Sequence, residues 1–426
     1  MRIFEKLESE VRGYIRSFPT IFKKAKGAIL TDEQGVEYID FFAGAGTLNY
    51  GHNNEHISKA LIEYLQEDGI VHGLDMATTA KKEFLQTFES LILKPRNLEY
   101  KLQFTGPTGT NAVETALKLA RLVKGRSNVV AFTNGYHGLS QGSLAVTGNN
   151  EYRDESYISR TNATFMPFDG YFDDMNTLKY FRKFLEDGSS GVDLPAAVIL
   201  ETIQGEGGIN VASKEWLQEL EGICREFDML LIVDDIQVGN GRSGEFFSFE
   251  FAGINPDMVT LSKSIGGGVP MALLLFKPHL DQWKPGEHTG TFRGNNLAFV
   301  ASKVSLDNYW QNDNLSKAVK YKEEILKDSL TQIANKYKDV YDIDVRGRGL
   351  VYGFEIKNDK SMAGEISKKA FQEGLIVETC GSESQVVKFL PPLLIEEELL
   401  KEGLKRFEIA VDKLIEERSE HLKGEY

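Results

Sequence analysis

The stretch Leu230-Leu231-Ile232-Val233-Asp234-Asp235 is an apolar run of strand length that ends in two carboxylates. Further along, Leu261-Ser262-Lys263-Ser264-Ile265-Gly266-Gly267-Gly268 places a lysine among small residues. Short apolar strands that alternate with helices predict a parallel sheet covered on both faces, and ligands bind at the carboxyl ends of such strands. We therefore expect Asp234 and Lys263 at one edge of the sheet, although two surface charges at strand ends would give the same pattern.

Asp234 and Lys263 together match the needs of one kind of cofactor. A protonated ring nitrogen needs a fixed anion, a carbonyl cofactor needs an amine, and pyridoxal phosphate needs both. An amine that attacks an aldehyde must be neutral, so Lys263 would require surroundings that lower its pKa. A lone lysine is seldom a catalytic amine, so other motifs must carry the argument.

The composition is ordinary for a soluble globular protein of two closely linked domains. The 426 residues are 41% hydrophobic and 26% charged. The formal net charge of -14 disfavours partners such as nucleic acid or an anionic membrane. Cys224 and Cys380 are the two cysteines, which argues against a disulfide framework or a zinc-thiolate site. With no signal-peptide pattern at the start and apolar runs of strand length only, we expect a cytoplasmic location.

Strand-like and helix-like segments alternate along the chain. Strands are predicted at 128–132, 196–200, 229–233, 257–261 and 271–276, and helices at 56–68, 78–93, 111–123, 174–186, 213–227, about 296–311 and about 315–337. The tail from 344 onward mixes strands and helices and resembles a separate α+β unit. We predict an N-terminal segment (1–50) that joins the small domain, a large ligand-binding domain (51–310) and a C-terminal small domain (311–426).

Three loops next to the predicted strands and helices contain residues that could bind a ligand. Gly106-Pro107-Thr108-Gly109-Thr110-Asn111 precedes a helix, whose N-terminus favours an anion, although a simple capped turn is also common. Thr133-Asn134-Gly135-Tyr136-His137-Gly138 follows a strand and could stack a tyrosine on a flat ring. Glu201-Thr202-Ile203-Gln204-Gly205-Glu206 puts two carboxylates at the same sheet edge, or is a solvated acidic loop.

Two further patterns are less convincing. Gly239-Asn240-Gly241-Arg242-Ser243-Gly244 has the spacing of a dinucleotide-binding loop, but it neither leaves a strand directly nor opens a helix. His52-Asn53-Asn54-Glu55-His56 has the spacing of a zinc protease motif, but no further ligand cluster is evident among the seven histidines. No metal is therefore expected.

Taken together, these motifs resemble the class III aminotransferases among the fold-type I pyridoxal phosphate enzymes, along nearly the whole chain. The resemblance implies an α/β fold with a mostly parallel seven-stranded sheet covered by helices, and a smaller α+β domain from the two chain ends. It also implies a homo-oligomer whose active site is shared across a dimer, because Thr291 in Thr289-Gly290-Thr291-Phe292 matches a phosphate ligand given to the neighbouring subunit.

The resemblance assigns a role to each matching residue. Lys263 matches the lysine that bonds to the cofactor, and Asp234 matches the partner of the pyridine nitrogen. Gly109 and Thr110 match the phosphate turn. The remaining matches are ring contacts by Tyr136, Ile236 and Gln237, and the substrate residues Glu206, Lys388 and Arg293.

Within the family, residues 72–81 and 107–114 most resemble the branch that aminates aspartate 4-semialdehyde with glutamate in ectoine biosynthesis. Lys388 stands where many relatives have an arginine that clamps the carboxylate of glutamate, and a lysine cannot form a planar two-bond fork. Arg293 replaces a glycine beside the shared threonine. Because Lys388 is the unusual residue, the sequence does not decide how the glutamate carboxylate is bound. It also does not decide whether Glu206 pairs with position 388.

Three alternative functions also stay open. The chain could be another ω-aminotransferase, such as one for 4-aminobutyrate or acetylornithine. It could be a catalytically silent binding protein of the same fold, although such a protein need not keep Lys263, Asp234 and the phosphate turn. An aldolase that uses a lysine without any cofactor would need neither Asp234 nor that turn.

Overall fold

The N-terminal part of the chain forms a small sheet and two longer helices. The structure is a computed structural model that describes residues 1–157, 161–173 and 175–424. Strands β1, β2 and β3 pair antiparallel, and the predicted helices 56–68 and 78–93 are confirmed as α4 and α5. The elements are α1 (Arg2–Leu7), α2 (Tyr14–Ser17), β1 (Phe22–Lys26), β2 (Ile29–Asp32), β3 (Glu37–Asp40), α3 (Ala43–Gly46), α4 (Glu55–Gln66) and α5 (Thr79–Phe88).

The central part alternates strands with helices, as predicted. The predicted helix 174–186 begins at Thr177, and residue 174 lies outside the described residues. The elements are β4 (Lys101–Phe104), α6 (Gly109–Lys124), β5 (Val129–Phe132), α7 (Gln141–Ala145), β6 (Ala163–Met166), α8 (Thr177–Glu186), β7 (Ala197–Leu200), β8 (Ile203–Gln204), β9 (Asn210–Val211), α9 (Lys214–Glu226), β10 (Leu230–Asp234), β11 (Met258–Leu261) and β12 (Leu273–Phe276).

Seven strands form the central sheet in the order β4-β12-β11-β10-β7-β5-β6. The predicted mostly parallel α/β sheet is confirmed, because the pairs from β11 through to β6 are all parallel. Strand β12 runs antiparallel to both of its neighbours. A parallel return from β11 to β12 would need a crossover helix, and the connection between them holds only a short 3-10 turn at Lys263–Gly266.

Burial explains which strands the sequence predicts and which it misses. The inner strands β5, β7, β10, β11 and β12 are buried along their whole length, so they read as continuous apolar runs. The edge strands β4 and β6 are partly exposed and carry polar residues, and our sequence analysis did not predict them. Their weaker apolar pattern follows from their position at the edges.

The C-terminal part adds two long helices and a second four-stranded sheet, β13-β14-β17-β16. Strand β15 pairs with β3, which ties the two chain ends together as the domain prediction requires, while the domain boundaries stay a prediction. No helix in the described part of the chain is both long and apolar enough to cross a membrane. The elements are α10 (Asn296–Tyr309), α11 (Asn314–Tyr337), β13 (Ile343–Arg348), β14 (Val351–Ile356), α12 (Met362–Gln372), β15 (Leu375–Ile376), β16 (Glu378–Cys380), β17 (Val386–Phe389) and α13 (Glu397–Gly424).

Arg242, within the Gly-rich run 239–244, joins distant parts of the chain. It is fully buried. Its guanidinium donates to Oδ1 of Asn49 at 2.6 Å, to the carbonyl of Leu350 at 2.9 Å and to the carbonyl of Pro391. Burial lowers the pKa of Arg242 to about 9, so the group stays charged at neutral pH. The run therefore forms a structural turn that presents an interior cation to three carbonyl-type acceptors.

We predict that Arg242→Met destabilises the protein strongly. The change leaves the acceptors at Asn49, Leu350 and Pro391 without their shared donor, at a cost of about 3 kcal/mol in the free energy of unfolding. Thermal and denaturant unfolding would measure it. Arg182→Met is the matched control, because Arg182 is half-exposed and pairs with Glu226 at the surface. An equal effect of the two substitutions would contradict the role assigned to Arg242.

Candidate active site

A cavity of about 430 Å³ opens at the carboxyl ends of β10 and β11. Its size suits a small-molecule ligand. Parallel strands deliver their terminal residues to the same edge, which explains how residues far apart in sequence meet here. The cavity brings together most of the predicted site residues: Gly109, Thr110, Tyr136, Glu206, Asp234, Ile236, Gln237 and Lys263.

Asp234 ends β10 as a buried carboxylate, 4% exposed. Its Oδ2 lies 2.7 Å from Nδ1 of His137, and its Oδ1 accepts a hydrogen bond from the Thr260 hydroxyl at 3.0 Å. Burial alone would lower the pKa of His137, but the hydrogen bond and charge of Asp234 outweigh burial and raise that pKa. The imidazole is thus biased toward its charged form and compensates the buried carboxylate.

Lys263 follows β11 in a strained conformation. Its φ of 52° lies in the left-handed region, and so does the φ of 56° at Ala45. The Lys263 ammonium donates to the Ala45 carbonyl at 2.8 Å. Burial is the main cause that lowers the pKa of Lys263, and the nearby charge of Lys388 acts in the same direction. The site therefore moves this amine toward the neutral form that a nucleophile requires.

The first turn of α6 forms an anion-binding end of the cavity. The helix begins at Gly109, two residues earlier than predicted from sequence. Its first N–H groups have no partners within the helix, and the helix dipole favours an anion there. The Thr110 hydroxyl lies 2.5 Å from the Ser140 hydroxyl, which donates to the carboxylate of Glu114 at 2.6 Å. This network fixes the direction of the Thr110 side chain.

Gly109 and Ile236 lie close together in the cavity lining. A Cβ at position 109 would lie 3.0 Å from Cδ1 of Ile236, so glycine is the residue that permits this close approach. The Tyr136 backbone N–H donates to the Glu201 carboxylate at 3.0 Å, which anchors the loop that carries the tyrosine ring. Gln237 donates through Nε2 to Ala45 at 3.0 Å and to Glu206 at 3.1 Å.

Lys388 lies fully buried between two carboxylates. Its Nζ is 2.7 Å from Oε1 of Glu206 and 3.0 Å from Oε1 of Glu378. Burial disfavours the charged form of Glu206, but Lys388 outweighs it and lowers the pKa of Glu206 to about 2. For Glu378 burial dominates and raises the pKa to about 7, although Lys388 opposes it. The pairing of Glu206 with position 388, left open from sequence, is present in the structure.

Thr291 and Arg293 lie outside this cavity. Thr291 is exposed. The guanidinium of Arg293 donates to the carbonyl of His288, and its side chain lines a separate hollow with Asp75 and Lys81. Within one chain, neither residue reaches Lys263.

The sequence analysis assigned no role to His137, Glu378 or Tyr14, which all contribute to the cavity or its surroundings. The contact of His137 with Asp234 spans 97 positions, and no local spacing predicts it. Glu378 did leave a signal, because it is a charged residue within an apolar stretch, as Lys388 is. Charged residues inside strand-like apolar runs are uncommon unless they are paired.

The fold and the cavity are those of an aminotransferase. Residues 13–411 match the family Aminotransferase class-III, and the chain belongs to that family, as the sequence motifs predicted. The chain is 63% identical over 419 residues to the diaminobutyrate--2-oxoglutarate transaminase of Wolinella succinogenes, covering 98% of this chain and 97% of that protein. The protein of the same name from Oceanobacillus iheyensis is 54% identical over 417 residues, again covering 98% and 97%. The ornithine aminotransferase of Toxoplasma gondii has a TM-score of 0.84 at 25% identity and covers 98% of this chain and 95% of that one.

Pyridoxal phosphate is the cofactor of this family, and the residues of the cavity fit it. The cavity of about 430 Å³ has room for a flat ring, and both Ile236 and Tyr136 belong to its lining. A buried carboxylate at Asp234 and an amine at Lys263 meet the needs of the ring nitrogen and the aldehyde. The first turn of α6 offers N–H donors to the phosphate.

We predict that Gly138→Ala weakens cofactor binding. A Cβ at position 138 would lie 2.5 Å from Oγ1 of Thr110 and would push that hydroxyl out of place. The dissociation constant of pyridoxal phosphate from the apoprotein should rise about tenfold or more, measured by fluorescence titration. Gly170→Ala is the matched control, because Gly170 also has a positive φ, of 72°, but no atom within 4 Å of the added Cβ. Equal affinities in the two variants would refute the contact's role.

Proposed function

We propose that this chain transfers the amino group of L-glutamate to aspartate 4-semialdehyde, giving L-2,4-diaminobutyrate and 2-oxoglutarate, a step of ectoine biosynthesis. The observation that carries the proposal is the likeness to proteins named diaminobutyrate--2-oxoglutarate transaminase, 63% identical in one case and 54% in another, over 98% of this chain. The unusual Lys388 lies beside the cavity, where substrate charge would be recognised.

The residues of the cavity divide the work of holding the cofactor. Bound pyridoxal phosphate supplies an aldehyde that takes up the amino group and a protonated ring that accepts electrons released at the substrate carbon. Asp234 would keep the proton on the ring nitrogen, with its own charge compensated by His137. The other holders would be Lys263 at the aldehyde, Gly109 and Thr110 at the phosphate, Ile236 and Tyr136 at the ring faces, and Gln237 near the ring hydroxyl.

Lys263 has a second task once its amine is free. Its Nζ would take the proton from the substrate carbon that bears the amino group and pass it to the cofactor carbon that carried the aldehyde, and it would run this transfer in reverse in the second half of the cycle. The lowered pKa of Lys263 suits this exchange, because a base works best when its pKa lies near the working pH. The Ala45 carbonyl, 2.8 Å away, keeps the amine aimed at the cavity.

Glu206 and Lys388 must serve two differently charged donors. Glutamate carries a carboxylate on the carbon that loses its amino group, whereas diaminobutyrate reacts at a terminal carbon that has none. With Glu206 at 2.7 Å, the charge of Lys388 is covered, which suits the terminal amine. If Glu206 turns toward the open side of the cavity, Lys388 becomes available to the glutamate carboxylate. Glu206 is the carboxylate with room to turn, since its side chain is 24% exposed and that of Glu378 is 6% exposed.

We also propose that two copies of the chain share the active site, with Thr291 given to the partner's phosphate site. The support is an exposed apolar surface near this threonine. Phe292 is 67% exposed and packs edge-on against His72, with ring centroids 5.2 Å apart. Exposed apolar residues flank His72 on the same segment, and surfaces of this kind mark protein interfaces; they are Ile70, Val71, Leu74 and Met76.

Single-turnover absorbance changes with one amino donor at a time test the proposed reaction. L-Glutamate and L-2,4-diaminobutyrate should both convert the holoenzyme, with kcat/KM at least about tenfold above 4-aminobutyrate and N-acetylornithine. A preference for either of the latter two would assign the chain to that other branch. No response to any donor would favour a silent binding protein, and a colourless protein would favour a cofactor-free aldolase. Lys263→Ala is the negative control.

We predict that Asp234→Asn lowers turnover by about a hundredfold or more, because a neutral amide cannot hold the ring-nitrogen proton. The loss would be measured as the steady-state kcat for exchange of the amino group between glutamate and 2-oxoglutarate. Asp235→Asn is the matched control, since Asp235 is an adjacent buried carboxylate that accepts a hydrogen bond from Ser248 N–H at 3.0 Å and does not line the cavity. It should keep most of the turnover. Near-normal kcat in Asp234→Asn would contradict the pairing.

A further inference from the structure

Glu378 is a buried carboxylate beside the substrate site with no role in the proposed mechanism. It lies on β16, directly opposite Lys388 on the antiparallel strand β17. The side chain is 6% exposed, and its Oε1 is 3.0 Å from the Lys388 ammonium. No donor in the described residues forms a well-directed hydrogen bond to that oxygen. Glu378 therefore depends mainly on the charge of Lys388 to offset the cost of its burial.

The two carboxylates on Lys388 are held in different ways. Glu206 also accepts a hydrogen bond from Gln237 at 3.1 Å and reaches the open side of the cavity. The strand register fixes the backbone of Glu378 opposite Lys388, and its side chain is 6% exposed against 24% for Glu206. Glu206 is therefore the partner with room to exchange.

The net charge of Lys388, Glu206 and Glu378 disfavours the binding of a third ionised carboxylate. One ammonium and two carboxylates sum to a net charge of -1 when all three are ionised. A glutamate carboxylate on Lys388 would bring the same small region to -2 if Glu206 stays nearby, and repulsion between buried like charges is met by protonation of one of them. A donor that reacts at a terminal carbon adds no such charge.

We propose that Glu378 is a specificity-determining residue that takes up one proton from solvent when a carboxylate binds at Lys388, and that terminal-amine donors bind without this uptake. The inference rests on the proposed function, both for the carboxylate site at Lys388 and for the terminal-amine donor. Glu206 remains ionised when it turns from Lys388, because Gln237 donates to it at 3.1 Å and its side chain reaches the open side of the cavity. Glu378 is the group that accepts the proton, since burial already raises its pKa to about 7.

Several other charged or titratable groups face this carboxylate and set the background for its titration. Lys388 on β17 and Lys263 after β11 favour its ionised form, whereas Glu206 after β8 opposes it. The remaining neighbours are phenols and a thiol that stay neutral at working pH because burial raises their pKa values: Tyr14, Tyr152 and Cys380.

The sign of the pH dependence follows from the direction of the shift. If ligand binding raises the pKa of a carboxylate, the ligand binds more tightly at a pH below the pKa in the free protein than at a pH above it. Affinity for a dicarboxylate should therefore be constant below about pH 7 and fall by about tenfold per pH unit above it. Affinity for a terminal-amine donor should lack this Glu378-dependent fall.

Calorimetric titration of the holoenzyme with glutarate, an unreactive dicarboxylate, tests the proposal without relying on turnover. At pH 8, titrations in Tris and in HEPES report the protons taken up per ligand bound. The wild-type protein should take up a substantial fraction of one proton, and Glu378→Gln should take up almost none and bind glutarate with an affinity independent of pH. Glu355→Gln is the matched control, because Glu355 lies in the same sheet but pairs with Arg346. It should behave like the wild type.

Absence of proton uptake in the wild-type protein would overturn the proposal by itself, whether or not any variant folds. Equal uptake in Glu378→Gln and in the wild type would also overturn it, because another group would then be the acceptor. In half-reactions with diaminobutyrate, wild type and Glu378→Gln should show the same dependence of affinity on pH. A fall in affinity with rising pH that Glu378→Gln removes would count against the proposal. If diaminobutyrate is not a donor while the glutarate result holds, only the proposed substrate is wrong.

Discussion

The buried carboxylate of Asp234 is the constraint on which the site depends. An uncompensated charge at the end of an inner strand would cost several kcal/mol, so the fold must bring a partner to it. His137 supplies that partner at 2.7 Å, and its loop must therefore lie against the end of β10. The same loop carries Tyr136 into the cavity and Gly138 against Thr110, so one charge pair positions both the tyrosine and the first turn of α6.

Backbone strain marks the side of the cavity opposite the anion-binding turn. Ala45 and Lys263 both adopt left-handed conformations that cost an L-residue of order 1 kcal/mol or more. The strain turns the Ala45 carbonyl toward the cavity, where it accepts hydrogen bonds from Lys263 and from Gln237. A single carbonyl thus orients both the reactive amine and the amide that contacts Glu206.

The sequence predicts what depends on local pattern and misses what depends on tertiary contact. Inner strands such as β10 are apolar throughout because both faces are covered, and motif spacing then places Asp234 and Lys263 at one edge. The apolar pattern does not predict the edge strands β4 and β6, because most of their residues are only partly buried. The reversed direction of β12 and the contact of Asp234 with His137 join residues whose spacing carries no signal, and only the folded chain reveals them.

The lysine at position 388 is explained by the two carboxylates around it. An arginine would offer a planar fork that suits one carboxylate in a bidentate pair, whereas an ammonium is a point charge whose three donors can face acceptors from different directions. Glu378 approaches from the neighbouring strand and Glu206 from the cavity, so a lysine satisfies both. Because the ammonium is not committed to one planar partner, loss of the Glu206 contact would leave the Glu378 contact in place. Such an arrangement would suit the exchange of Glu206 for a substrate carboxylate that we propose.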